Sequence, residues 1–334
     1  MIPGEAQPPA LEILDPGLLL SVQDTGRPGF ARLGVTRGGA ADWWSLAIAN
    51  LLVGNQPAAA ALEATILGPG VRALRTITLG LAGTMPARVR GMSRPVEPGA
   101  TITLAVGDVL ELGPATGARG YLAVPGGIDV PLVLGSRSTA LGASFGGLEG
   151  RALRAGDRLV AADPGRALPP IGWPGAPAPE PVDAAHPLRV VPGPDARDLG
   201  AALEALTSSS WTVSPTSDRV GLRLEGPPVQ RGRALELATH GVVEGAVQVP
   251  PDGRPIVLGV DHQPTGGYPV AAVVITADLP RLGQLAPGAE VRFELTDTAT
   301  ARSALAAAND VFEQARSDLR EAARWDDLWR DVGR

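Results

Sequence analysis

Asp261 and the two residues after it, a histidine and a glutamine, place three polar side chains together where a short apolar run ends. The run before them, residues 255–260, is long enough for a buried strand, and the paired glycines Gly266 and Gly267 follow. Glycine lets a backbone N–H approach a ligand closely, or lets the chain take a positive φ. The stretch therefore predicts a ligand-binding loop on a rigid scaffold; its alternative is a barrel corner with solvated side chains.

A β-hairpin is predicted to lead into this loop. Val247 and Val249 alternate with the polar Gln248, which suits a half-buried strand. Residues 250–253 supply the turn, because proline presets φ and an Asp-Gly pair tolerates a tight corner. The hairpin would therefore lead into a rigid loop.

An aspartate and an arginine recur beside a glycine in each half of the chain. Asp24 and Arg27 follow one short apolar run, and Asp218 and Arg219 follow another. The recurrence suggests a composite ligand site at a domain interface. The alternative is two ion pairs that stabilise turns, each worth at most about 1 kcal/mol if exposed.

A further cluster combines hydroxyls with one cation. Ser136, Ser138 and Thr139 surround Arg137, and such a set can bind a carboxylate or a phosphoryl oxygen. A capped surface turn is the alternative. Ser136 is a poor candidate nucleophile, because no histidine that would activate it precedes His186.

The residue types that are missing exclude several kinds of chemistry. The chain has no cysteine, so a thiol nucleophile, a disulfide framework and a thiolate metal site are excluded. It also has no lysine, which excludes a Walker-type phosphate loop, a Schiff base and a lysine-attached biotin. The 3 histidines lack metal-ligand spacing, so no metal site is predicted.

The elements that must position these residues are mostly strands. The 43 glycines and 33 prolines are scattered between short apolar runs, which indicates many turns and a β-rich fold. Residues 43–53 form the first convincing helix, and 297–331 form the last. Glu63 lies within a predicted strand and, if it is buried, needs either an arginine or backbone donors as partners.

The predicted domains follow chain order. We expect a first β-barrel domain over 8–163, a Pro/Ala/Gly-rich linker over 164–187, a second barrel over 188–296 and a helical extension over 297–334. Trp325 and Trp329 can share one face of that helix, and this face either docks on its own domain or offers a surface to a partner.

The charge and hydropathy of the chain limit the kinds of partner that it is predicted to bind. The net charge of −6, without any basic run, argues against nucleic-acid binding. No apolar segment is long enough to span a membrane, and the N-terminus lacks the pattern of a signal peptide. We therefore expect a cytoplasmic protein.

Several motifs together resemble the carboxyltransferase-like family of allophanate hydrolase subunit 2. They are VQDTGRPG (22–29), GGAAD (38–42), NLLVGN (50–55), LEATILGP (62–69), YLAVPGGIDVP (121–131), LGSRST (134–139), SDRVG (217–221), GAVQVPPDGRP (245–255) and DHQPTGGYP (261–269). The family includes the C subunit of bacterial 5-oxoprolinase and the carboxyltransferase part of urea amidolyase. An arginine is expected after Asp261, where this chain has His262, and that departure bears on substrate identity.

The resemblance implies a mainly β chain of two cyclophilin-like β-barrel domains in tandem, with a few short helices and a C-terminal helix. It also implies a cyclophilin-like partner subunit, a lactam-binding subunit and a small amide substrate. The candidate catalytic residues are Asp24, Arg27, Asp218, Arg219 and Asp261. The candidate substrate-binding residues are Gln23, Arg137, Ser138, Thr139, Gln248, Thr265, Gly266, Gly267 and Tyr268.

The leading functional expectation is a subunit of an ATP-dependent 5-oxoprolinase, which opens 5-oxoproline to glutamate. ATP would bind on or with the partner subunit, and no biotin would be attached to this chain. The alternatives are a biotin-dependent carboxyltransferase acting on urea or a related amide with a separate biotin carrier, or a non-catalytic regulatory subunit. A prolyl isomerase is the weakest choice, because fold alone does not give function.

Overall fold

The computed structural model describes residues 7–165, 182, 185–230 and 238–332, with side chains as far as residue 321. The chain divides into two compact units. Unit 1 comprises Met1–Gly26, Trp43–Ala178 and Glu313–Arg334, and unit 2 comprises Arg27–Asp42 and Pro179–Phe312. The two units therefore alternate along the sequence. Most of the predicted linker lies outside the described residues.

Unit 1 is built from two antiparallel sheets. Its strands are β1 (Leu11–Asp15), β2 (Leu19–Gln23), β3 (Ala61–Leu67), β4 (Gly70–Ala73), β5 (Ile77–Gly83), β6 (Ala87–Val89), β7 (Ala100–Leu104), β8 (Val109–Leu112), β9 (Pro114–Ala123) and β10 (Arg158–Leu159), and its helix is α1 (Trp43–Leu52). Among the described residues, one sheet has the order β10-β1-β4-β8-β6 and the other β2-β3-β9-β5-β7.

Alternation along the strands forms the core of unit 1. Leu11 and Ile13 are buried in one sheet, whereas Glu12 between them lies opposite Arg72 and pairs with it at 2.8 Å. Leu20 and Val22 of the other sheet join the same apolar cluster. Both sheets therefore contribute a buried face to one core.

Glu63 is a carboxylate inside this core, and its predicted need for a partner is met. Its side chain is 1% exposed. The Tyr121 hydroxyl, directly across the ladder, donates to Glu63 Oε2 at 2.8 Å, and Arg119 Nε lies 3.7 Å from Oε1. The expected arginine partner is confirmed. A buried carboxylate with both a cation and a hydroxyl beside it keeps its charge compensated.

Unit 2 contains a sheet that almost closes on itself. Its strands are β11 (Leu188–Pro192), β12 (Trp211–Val213), β13 (Gly221–Glu225), β14 (His240–Gly241), β15 (Ala246–Gln248), β16 (Ile256–Leu258), β17 (Thr265–Gly266), β18 (Val270–Val274), β19 (Glu290–Val291) and β20 (Phe293–Leu295), and its helices are α2 (Ala202–Ser208) and α3 (Leu279–Gly283). The eight-stranded sheet has the order β19-β12-β13-β16-β15-β18-β11-β20. Its two end strands are separated only by Arg292, so the sheet curls into a nearly closed barrel.

Residues 27–42 pack as part of unit 2, although the predicted domain boundaries assign them to the first domain. Arg219 Nη2 donates to the Gly39 carbonyl at 2.6 Å, and Gln284 Nε2 donates to Asp42 Oδ2 at 2.7 Å. A Cβ at Gly283 would lie 2.1 Å from the Ala41 carbonyl oxygen, so only glycine allows this approach. Contacts between residues far apart in sequence decide this placement.

The C-terminal helix α4 runs from Thr298 to Val332. The side chains of Trp325 and Trp329 lie outside the described residues. The predicted fold class is confirmed: the chain is mainly β, with a nearly closed barrel sheet in unit 2, a few short helices and a C-terminal helix. None of the described helices is both long and apolar enough to cross a membrane.

Candidate functional site

Asp24 holds together a loop of unit 1. Ser136 Oγ donates to Asp24 Oδ1 at 2.6 Å, Ser138 Oγ donates to the same oxygen, and the Arg137 backbone N–H donates to Oδ2 at 2.6 Å. The Gly26 N–H adds a fourth donor at 2.8 Å. The serine hydroxyls therefore donate to a carboxylate of the protein itself, and the binding of a ligand by this cluster stays a prediction.

The neighbouring residues complete this loop. Gln23 Nε2 donates to the Ser21 hydroxyl at 2.9 Å, and the Thr139 hydroxyl donates to the Val22 carbonyl at 3.0 Å. Arg137 Nη2 reaches Asp129 at 3.2 Å. Gln23, Ser138 and Thr139 are fully buried. These contacts give Gln23, Asp24 and the 136–139 loop a structural role, and their predicted part in catalysis and binding stays a prediction.

The ion pair at the centre of unit 2 joins Arg219 to Asp261, which is 42 residues away. Arg219 Nε donates to Asp261 Oδ2 at 2.7 Å, and Nη2 donates to Oδ1 at 3.1 Å. The two side chains are only 5% and 10% exposed. Asp218 instead accepts the N–H groups of Val220 and Gly221 at 2.8 and 3.2 Å. Asp218 thus caps its own turn, while Asp261 neutralises Arg219.

Arg27 lies close to this pair. A Cβ added to Gly38 would be 3.2 Å from Arg27 Nη1 and 3.6 Å from Asp261 Oδ1. Arg27 is 1% exposed, and its backbone N–H donates to the Arg37 carbonyl at 2.8 Å. Three of the five predicted catalytic residues, Arg27, Arg219 and Asp261, therefore come together in unit 2.

A small pocket opens beside these charges, entirely within unit 2. Its volume is about 260 Å³. The lining residues that carry charge or imidazole are Arg27, Arg37, Glu244 and His262, and apolar residues such as Val243 and Pro264 form other walls. Guanidinium groups in such a pocket suit an anion or an oxygen that gains negative charge. We call it the arginine pocket.

Glu244 is the functional candidate that sequence reasoning missed. Burial raises the pKa of Glu244 from 4.5 to about 7, against the opposing charges of Arg37 and Arg219, while Asp261 adds to the rise. A carboxyl group that titrates near neutrality can exchange protons with a ligand. The signal in the sequence was a lone carboxylate within the stretch Val242-Val243-Glu244-Gly245-Ala246.

His262 stands where the resemblance to the family led us to expect an arginine. Burial lowers the pKa of His262, although the backbone carbonyl of Gln263 and the charge of Asp261 oppose that change. Its Nδ1 lies 2.7 Å from the Gln263 carbonyl oxygen, so Nδ1 carries the proton in that contact. The residue therefore supplies a mainly neutral imidazole at neutral pH, rather than a fixed cation.

A larger groove of about 940 Å³ lies elsewhere on unit 2. Among the predicted binding and catalytic residues, it is lined by Asp218, Gln248, Thr265, Gly266, Gly267 and Tyr268. The predicted hairpin is present, with Val247 opposite Val257. The hairpin thus places Gln248 at the groove, and the predicted part of Gln248 in substrate binding stays a prediction.

The two glycines of this groove do not adopt positive φ. A Cβ at Gly266 would lie 2.5 Å from Gln248 Nε2, whereas one at Gly267 would meet nothing closer than Thr239 Oγ1 at 3.9 Å. Gly266 is therefore needed for the close approach of the Gln248 amide, which donates to the Tyr268 carbonyl at 3.3 Å. The sequence offered two reasons for these glycines, close approach of a ligand or a positive φ. At Gly266 the reason is close approach, and the group that approaches is the side chain of Gln248 rather than a ligand.

Comparison with known proteins establishes the family. The family described as "Carboxyltransferase domain, subdomain A and B" matches residues 33–295. The C subunit of 5-oxoprolinase from Escherichia coli (strain K12) is 39% identical over 291 residues, which cover 85% of this chain and 90% of that protein. The chain belongs to the carboxyltransferase domain family.

Two further relatives are much longer proteins. Urea amidolyase of Lachancea kluyveri is 34% identical over 315 residues, covering 86% of this chain and 17% of that protein. The crystal structure of K. lactis urea amidolyase has a TM-score of 0.82 at 31% identity, over 92% of this chain and 20% of that chain. The relatives are enzymes or parts of enzymes, so the family supplies enzyme components.

Proposed function

We propose that the chain is a subunit of an ATP-dependent 5-oxoprolinase, which opens the cyclic amide of 5-oxoproline to give glutamate. Its partners in this proposal are a second, cyclophilin-like subunit and a lactam-binding subunit. The observation that carries the proposal is the 39% identity to the C subunit of 5-oxoprolinase over 90% of that relative.

The arginine pocket supports the proposal chemically. Opening an amide moves negative charge onto its oxygen, and positioned guanidinium groups stabilise that charge. A volume of about 260 Å³ suits a small molecule rather than a nucleotide or a drug-sized ligand. Arg27 and Arg37 provide the cations, and Glu244 provides a carboxyl group that can exchange a proton.

ATP is assigned to the partner subunit. The chain has no lysine, so it cannot form a Walker-type phosphate loop. Without lysine it also carries no covalently attached biotin. We place the assembly in the cytoplasm, since its reaction consumes ATP.

The second candidate is a biotin-dependent carboxyltransferase that acts on urea or a related amide. The TM-score of 0.82 to urea amidolyase favours it. In that case a separate protein would carry the biotin. The two candidates share a small amide substrate and differ in the co-reactant.

Reconstitution separates the two. The chain is co-expressed with its two proposed partners, and glutamate formation from 5-oxoproline is measured with and without ATP. We expect turnover that requires ATP and all three subunits. A folded complex without turnover would overturn the proposal, and turnover of urea only with carboxybiotin would support the second candidate.

A further inference from the structure

The Glu244 carboxyl lines the arginine pocket and has no hydrogen-bond donor among the residues that the structure describes. Among the described residues, none donates a hydrogen bond to its oxygens and none forms an ion pair with it within 4.0 Å. Glu244 is nevertheless partly buried. A carboxyl group that is partly withdrawn from water and has no protein donor is available to a ligand that enters the pocket.

Charged groups from several segments face Glu244. Arg37 lies in the segment 27–42, Arg219 follows β12, and Asp261 follows β16. Arg27 and His262 share the pocket. The surroundings of Glu244 therefore comprise three guanidinium groups, one other carboxylate and one imidazole.

Most of these groups are already engaged within the protein. Arg219 donates to both Asp261 oxygens and to the Gly39 carbonyl, and His262 Nδ1 contacts the Gln263 carbonyl. Arg37 is exposed, in contrast. A ligand in the pocket therefore meets an acceptor at Glu244 and a donor at Arg37.

An amide presents the complementary pair of groups, since its N–H donates and its carbonyl oxygen accepts. We propose that Glu244 determines specificity for small amides, by accepting the amide N–H while Arg37 donates to the carbonyl oxygen. This inference rests on the proposed function, because it names the residues by which that function recognises its substrate class. Ligands without the N–H lose the contact to Glu244.

The proton on Glu244 makes the inference measurable. The ionised carboxylate accepts the amide N–H more strongly than the neutral acid does, because the acceptor then carries the negative charge. With a pKa of about 7, the ionised fraction rises about tenfold between pH 6 and pH 8. The apparent affinity for an amide should rise by about the same factor over that range.

Titration calorimetry on the full chain and on its reconstituted complex tests this, with 5-oxoproline and its N-methyl derivative as probes. We expect 5-oxoproline to bind about tenfold tighter at pH 8 than at pH 6, and the N-methyl derivative to show no such change. Glu244→Gln should bind with little pH dependence. His262→Asn and the exposed control Glu204→Gln should keep the wild-type pH dependence.

Equal binding of the two probes, or a pH dependence that survives in Glu244→Gln, would overturn the inference. So would loss of the pH dependence in His262→Asn, or the absence of binding to both the chain and the complex. Glutamate turnover without the predicted binding pattern would leave the proposed function standing. The predicted binding pattern without glutamate turnover would support the role of Glu244 and overturn the proposed function.

Discussion

Asp24 in unit 1 and Asp261 in unit 2 share a residue type and a predicted role, but their surroundings differ. Asp24 accepts hydrogen bonds from two hydroxyls and two backbone N–H groups of its own unit. Asp261 accepts from a guanidinium group and lies near a second arginine. The partners of each aspartate, more than the residue type, determine its role. Asp24 holds a loop of unit 1 together, and we call it the loop clamp, whereas Asp261 is part of a charged site.

Glu63 and Glu244 make the same contrast among glutamates. Glu63 is held by Tyr121 and Arg119 inside the core of unit 1. Glu244 borders a pocket and lacks such partners among the described residues. The protein itself supplies donors to Glu63, whereas the described residues supply none to Glu244.

The largest effect should come from breaking the buried ion pair of unit 2. Arg219→Ala leaves Asp261 buried without its cation, and we expect a loss of about 4 kcal/mol in the free energy of unfolding. Urea unfolding checks this. The control Arg90→Ala removes an ion pair whose side chains are 62% and 45% exposed, and should cost less than about 1 kcal/mol. Equal losses in the two variants would show that the pair in unit 2 is solvated.

Replacing Glu244 should stabilise the protein, and only at high pH. The folded protein favours the protonated carboxyl, since its pKa rises from 4.5 to about 7. Stability is therefore lost as the pH rises through that range, by up to about 3 kcal/mol. Glu244→Gln escapes this loss, so it should match the wild type at pH 4.5 and exceed it at pH 8. Urea midpoints at the two pH values measure the difference, and an identical pH profile for both proteins would contradict it.

Removing the loop clamp of unit 1 should have a smaller effect. Asp24→Ala leaves buried hydroxyl and N–H donors without an acceptor, which should cost about 2 kcal/mol. Asp15→Ala is the matched control, because Asp15 is exposed and accepts one N–H, that of Gly17 at 2.9 Å. Thermal unfolding compares the two variants, and an equal cost would remove the distinction drawn for Asp24.

The smallest effect concerns the groove. Gly266→Ala pushes the Gln248 amide aside, and overpacking of this kind should cost about 1 kcal/mol. Gly267→Ala has room for its methyl group and should be close to neutral. Unfolding by urea distinguishes the neighbours. A larger loss for Gly267→Ala would mean that the groove is shaped by another contact.

Local patterns in the sequence were sufficient to predict individual strands and helices. The alternation at 11–14 predicts the strand found at Leu11–Asp15, and the predicted helix over 43–53 is found at Trp43–Leu52. Local rules also anticipated the partner of Glu63, because a buried carboxylate requires one. These predictions depend on periodicity and burial, both of which neighbouring residues determine.

The hydrogen-bonding partners of the site residues could not be predicted from local patterns in the sequence. Asp218 is adjacent to Arg219 in sequence, yet Arg219 pairs with Asp261, because the ladder joining β13 to β16 brings Arg219 near the end of β16. The only local mark of Glu244 was its position within an otherwise uncharged stretch, and the rise in its pKa depends on burial by residues far away in sequence. Long-range pairing and desolvation depend on the finished fold, which a reading of spacing does not supply.

The assignment of residues 27–42 to unit 2 also bears on the order of synthesis. Gly39 receives its hydrogen bond from Arg219, 180 residues later in the chain. At about 5–20 residues per second, a ribosome needs on the order of 10 to 40 s to make the missing partner. During that interval the segment 27–42 has no partner to pack against, and Arg27, which is buried in the folded protein, stays exposed. We expect the nascent chain to be most sensitive to proteases, and most dependent on chaperones, during this period.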